Sequence, residues 1–257
     1  MTRYPLTVSR IIAVASDKGG VGKTTTAVEL AYVLRAVLVD LDHAWGSATA
    51  AWTDVGTLAP EYARRALIEG DGPGPRILRR EGLPDLIPAH PDYGQASVDA
   101  AETAERLEEW AAHFGRDLVV DTHPGWSELS LGAAAAANLV LVPVPLEERS
   151  LRAFGGFARE ASGYPIAAVP ARVPQWGGYH LAGVAPLHDR LRAAAQAAGA
   201  ALSPPISEWR DWPRRQSLRP LLATSEPGRW VAAAQSELRQ LAEWVRQRLE
   251  AKETARG

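Results

Sequence analysis

Residues Ser16-Asp17-Lys18-Gly19-Gly20-Val21-Gly22-Lys23-Thr24-Thr25 constrain the fold more than any other stretch. They follow an apolar run, Ile11-Ile12-Ala13-Val14-Ala15, and lead into a helical pattern that opens near Lys23. Strand, glycine-rich loop and helix in that order make a phosphate-binding loop. Gly19, Gly20 and Gly22 let the backbone curl so that successive N–H groups converge on phosphate oxygens. The start of the following helix adds a dipole that favours the same anion. In such a loop Lys23 reaches the β- and γ-phosphates and the Thr24 hydroxyl binds Mg2+. Asp17 stands where the strict form of the pattern has glycine.

The rest of the chain alternates short apolar runs with helical patterns. Residues 10–15, 36–42, 85–89, 117–121, 138–144 and 166–169 read as strands. Helical periodicity covers 23–35, 61–68, 95–114, 130–137, 148–161, 183–199 and 230–252. Fully apolar strands between helices predict an α/β fold, a mostly parallel twisted sheet with helices on both faces. Ligands bind at the carboxyl ends of such strands, where Lys23, Asp42 and Asp121 all fall. An apolar strand ending in Asp121, downstream of the loop, is a pattern that holds Mg2+, usually through water.

A length of 257 residues suits one domain over 1–257. There is no cysteine, which excludes a thiolate metal site, a disulfide framework and a cysteine nucleophile. No apolar run approaches the roughly 18 residues of a spanning helix, so no membrane role and a cytoplasmic location are expected. Charge is uneven. Residues 1–148 carry 12 Lys+Arg against 21 Asp+Glu, and residues 149–257 carry 16 against 9. A basic half points to a polyanion. Arg214, Arg215 and Arg219, interleaved with Trp209 and Trp212, are the candidate phosphate contacts. Contacts of that kind bind DNA non-specifically and weaken with salt. A solvated arginine surface is the competing reading.

Lys18 to Thr25 resembles the deviant Walker A box of the ParA/MinD family of ATPases, in which an extra lysine, here Lys18, precedes the usual one by five residues. Only three lysines occur, Lys18, Lys23 and Lys252, so two of them sit in this loop. Residues 39–49 resemble the family box V-D-x-D-P-Q-G-x-A-T, with His43-Ala44-Trp45 in place of Pro-Gln. Residues 117–125 resemble D-x-x-x-x-D-T-P-P-G, with His123 where a proline is usual. Pro170-Ala171-Arg172 stands where the family often has an adenine-reading asparagine.

The resemblance implies a P-loop ATPase using ATP and Mg2+. Gly19, Gly20, Val21, Gly22, Lys23, Thr24 and Thr25 would hold the nucleotide, and Thr24, Asp40 and Asp121 the metal shell. Asp42 would place the attacking water, and Lys18 would reach across an ATP-sandwiched homodimer. Lys18, Lys23 and Asp42 are thus the catalytic candidates, and Pro124-Gly125 the γ-phosphate switch. The family further implies non-specific DNA binding on the nucleoid, a ParB-type centromere-binding partner, and plasmid or chromosome segregation. A MinD-like or cargo-positioning ATPase and a P-loop kinase or ligase are the alternatives. Trp45 and Trp52 are expected to be packing residues, and the leucine stripe of the last helix to be core rather than a membrane anchor.

Overall fold

The computed structural model describes residues 9–43, 47–49, 60–70, 75–95, 97–161, 163–175, 183–209, 219–225 and 228–254. Trp45, Trp52, Trp212, Arg214 and Arg215 lie outside the described residues.

Among the described residues seven strands build one sheet: β1 (Ile11–Val14), β2 (Val37–Asp40), β3 (Asp85–Ile87), β4 (Leu118–Asp121), β5 (Leu139–Pro145), β6 (Ile166–Ala171) and β7 (Ala201–Leu202). Their spatial order is β3-β2-β4-β1-β5-β6-β7, and every pairing between them is parallel. Side chains alternate across the pleat. Ile11, Ala13, Val37, Val39, Leu118, Val120, Val140 and Val142 enter one core, while Ile12, Val14, Leu38, Val119, Leu139 and Leu141 enter the other. The strands are apolar throughout because both faces are covered.

One face carries α3 (Ala100–Phe114), α4 (Glu128–Ala136), α5 (Glu148–Glu160) and α6 (Ala185–Ala197), through Leu107, Ala133, Phe154 and Leu191. The other carries α1 (Lys23–Leu34) and α7 (Arg229–Thr254), through Leu30, Leu241 and Val245. The expected stripe of α7 is therefore core: Leu238, Leu241, Val245 and Leu249 are all buried. Each such side chain contributes roughly 1.5–3 kcal/mol by leaving water. Among the described residues no helix is long and apolar enough to cross a membrane.

Three local details depart from the expected pattern. A 3-10 turn, Pro91–Gln95, precedes α3, which starts only at Ala100. Asp99 caps it, and Glu102 returns the bond to the Asp99 N–H. That reciprocal cap outweighs the apolar periodicity upstream. The helical pattern over 61–68 becomes α2 (Pro60–Arg64), which widens into a π-helical turn over Arg65–Glu69. β7, with two residues, is too short to register as a period. Helices α3 and α4 cross closely at Gly132, where a Cβ would stand 2.4 Å from the Thr103 Cβ.

The connection from α1 to β2 is tight because Arg35 takes a left-handed φ of 54°. Its N–H and that of Ala36 return to Tyr32 O and Ala31 O, closing the helix in a Schellman-like turn. Arg116 secures this corner, donating to Arg35 O at 2.7 Å and to Asp85 on β3.

Helix α1 also carries a buried carboxylate, Glu29, that accepts from the N–H groups of Leu221 (2.6 Å) and Leu222 (3.2 Å). These N–H groups open the 3-10 turn Leu221–Ala223. Glu29→Ala leaves both donors without this acceptor. It is expected to cost about 2–4 kcal/mol in urea unfolding. A loss under about 0.5 kcal/mol, the range of an ordinary surface change, would contradict this account.

Candidate nucleotide and metal site

The loop after β1 presents its backbone as an anion cradle. Gly20 and Gly22 hold φ of 71° and 98°, a region that side chains disfavour. Gly22 is the N-cap of α1 and offers no side-chain cap, so the amides of the first turn are left to an outside acceptor. Gly125 N–H donates to Ser16 O at 3.1 Å, so the segment after β4 is fastened to the loop's entrance.

Lys23 is 5% exposed and its ammonium donates to Lys18 O at 3.2 Å. Burial pushes its pKa below the ordinary lysine range, while Asp121 and Asp42 pull the other way. Asp40 and Asp121 are partners in the β2–β4 register, so their carboxylates emerge side by side at the strands' carboxyl ends.

The two behave differently. Asp40 is fully used: Oδ2 accepts from Thr49 N–H and Oγ1 at 2.6 Å each, and Oδ1 accepts from Asp42 N–H at 3.0 Å. Burial raises its pKa to about 6, against those bonds. Asp121 is buried, and among the described residues neither of its carboxylate oxygens has a hydrogen-bond partner. Burial, then Asp40, hold its pKa well above the usual carboxylate range. The Thr24 hydroxyl lies close enough to favour the charged form without forming a bond of normal geometry, and Lys23 helps.

An orphaned buried carboxylate beside a helix-start threonine fits a divalent cation. The bare amides in front of it fit the phosphates that such a cation would bridge.

A family model described as an AAA domain matches residues 9–160. The chromosome-partitioning ATPase Soj of Thermus thermophilus is 40% identical over 153 residues, 57% of this chain and 59% of that protein. The chain belongs to this AAA domain family. It spans about three-fifths of the length of the curated relatives it matches, 59% and 55% for the Thermus thermophilus and Myxococcus xanthus proteins. The ATP complex of an McdA variant from Cyanothece shares the fold, with a TM-score of 0.74 at 17% identity over 95% of this chain and 97% of that one. Cobyrinic acid a,c-diamide synthase from Mycobacterium smegmatis, with bound ADP and magnesium, matches with a TM-score of 0.61 at 25% identity over 78% of this chain and 87% of that one.

Against the ParA/MinD boxes, the structure brings Lys23, Thr24, Asp40, Asp42 and Asp121 to one end of the sheet. Asp42 is buried and pairs with His123 Nδ1 at 2.8 Å. Lys18 points elsewhere. Its ammonium donates to Ser150 Oγ at 3.2 Å and lies 3.5 Å from Glu147 Oε1, both at the start of α5. The Ser150 hydroxyl and Lys18 together hold the Glu147 pKa below the usual range. Arg219, the described member of the arginine trio, is exposed and rests its guanidinium against Gly82, remote in sequence.

Two contacts have no signal in the sequence. Ser150 and Glu147 lie 132 and 129 residues from Lys18. Arg172, just past β6, takes a left-handed φ of 53° and donates from Nη2 to Gly20 O at 2.5 Å. A non-glycine residue in that conformation is uncommon, and here it sits against the phosphate loop.

Proposed function

We propose that this protein is a single-domain ParA-type ATPase that binds ATP with Mg2+, closes as a dimer over the nucleotide and carries DNA non-specifically. One observation carries the reading. The Asp121 carboxylate is buried beside Thr24 and Lys23 without a hydrogen bond of normal geometry among the described residues, behind a loop whose helix-start amides carry no side-chain cap.

Mg2+, held by Thr24 and Asp121, would supply positive charge against that of the phosphates. The chain's own groups do the rest. The loop amides of Gly19 to Thr25 grip the phosphates, Lys23 neutralises them, and Thr24 and Asp121 hold the metal and its waters. Asp42 orients the attacking water, and Asp40 keeps the Asp42 loop in place through Thr49. Arg214, Arg215 and Arg219 serve the DNA phosphates, and a ParB-type partner on a plasmid or chromosome stimulates release at the nucleoid.

A calorimetric titration of ATP with Mg2+ present tests the core of this. Wild type is expected to bind. Asp121→Ala should weaken Mg2+-dependent binding about 10- to 100-fold, the usual cost of losing an outer partner of a metal. Wild type that retains no ATP ends the proposal, partner and DNA included.

Likeness to a maintenance of carboxysome distribution protein A of Gloeobacter kilaueensis, 33% identical over 141 residues, supports a second reading, in which the same ATPase positions a protein assembly in place of DNA. An assembly partner that stimulates turnover when DNA does not would select it. ATP hydrolysis with no co-substrate separates both from a ligase like the synthase.

A further inference from the structure

We propose that His123 is a positioning residue for ATP hydrolysis, holding the Asp42 carboxylate in the orientation an attacking water requires. The inference rests on the ATPase reading above.

Asp42 Oδ1 lies 2.8 Å from His123 Nδ1. An ionised carboxylate only accepts hydrogen bonds, so Nδ1 carries the proton and donates it. The Asp42 main chain is already fixed through its N–H on Asp40 Oδ1. That bond leaves the side-chain torsion to be set by side-chain contacts, and His123 supplies one.

The imidazole is itself held. His43 stacks on it, centroid to centroid 4.4 Å at 22°. His43 fits there because residue 94 is glycine: a Cβ at Gly94 would stand 2.7 Å from His43 Nε2. At the backbone, His123 O accepts from Ser130 Oγ at 3.3 Å, which ties the same residue to α4.

The two positions also depart together from the family pattern. His43 and His123 each stand where a proline is usual, 80 positions apart in the sequence. In the structure they are each other's neighbours, and together they brace the carboxylate assigned to water. A proline at 123 has no side-chain N–H to donate to Asp42.

Steady-state ATP hydrolysis and calorimetric ATP binding on wild type, His123→Leu and His123→Asn test this. His123→Leu keeps bulk and removes the donor. Its kcat is expected to fall about 10- to 100-fold, since misplacement near 1 Å costs that much. KM and ATP affinity should not change. His123→Asn puts an amide N–H near the place of Nδ1 and should recover most of the rate. Unchanged kcat in His123→Leu, a loss confined to KM, or an asparagine variant as slow as the leucine one would each overturn the proposal. Wild type that binds but never hydrolyses ATP overturns the ATPase reading and this proposal together. Wild-type turnover matched by His123→Leu overturns this proposal alone.

Discussion

Asp42→Ala is expected to stop turnover while ATP stays bound. Phosphoryl transfer to water asks little of a protein beyond in-line placement and charge neutralisation. On the proposed mechanism the charge side is assigned to Lys23, Thr24 and Asp121. Placement is the role proposed for Asp42. Losing a positioned carboxylate of this kind costs about 100-fold or more in kcat. Binding should hold or improve, because one negative charge leaves the neighbourhood of the phosphates. The protein should therefore accumulate as an ATP-bound dimer. Single-turnover hydrolysis beside light scattering would show both effects. Wild-type turnover in Asp42→Ala removes the residue from the mechanism.

Lys18→Ala should leave the protein monomeric with ATP present. Among the described residues the Lys18 ammonium is held by Ser150 and by Glu147, whose side chain is 58% exposed. An ion pair that open to water contributes at most about 1 kcal/mol. The lysine is thus easily released from its own chain. Against a phosphate at a closing interface the same ammonium would make charge-assisted bonds of about 1.5–3 kcal/mol each. Two such lysines, one from each subunit, would bias association strongly toward the ATP-bound dimer. Size-exclusion chromatography with light scattering should show an ATP-dependent dimer for wild type and a monomer for the variant. ATP-dependent retention of DNA should disappear with it. A Lys18→Ala dimer, or a monomer that still holds DNA in an ATP-dependent way, would remove the cross-subunit role.

Much of the site was legible because its parts are contiguous in sequence. A strand, three glycines, a lysine and two threonines specify the phosphate loop wherever they occur in that order. Asp40, Asp42 and Asp121 were legible because each ends an apolar run, and parallel strands bring such ends together. The boundary of α3 was misplaced because apolar periodicity carries no information about the Asp99–Glu102 cap. The arginine asymmetry between halves does not map onto separate faces at Arg219, which comes from the basic half, is exposed and packs beside Gly82 of the acidic one.

What the residues by themselves determined is the chemistry of one sheet end. Short-range geometry requires the glycines to curl, the helix to start bare, and carboxylates to emerge at the ends of buried strands. Folding decided which of these groups stay available. Asp40 is taken up by Thr49 and Asp42, whereas among the described residues Asp121 is left without a hydrogen-bond partner. Lys18 is held by its own α5, Arg172 lies against the loop, and two histidines meet behind Asp42. Asp40 is taken up by neighbours two and nine positions away, but the contacts of Lys18, Arg172 and the two histidines join residues 80 to 152 positions apart. Such contacts are set by how the sheet orders its strands, which no local pattern in the chain encodes.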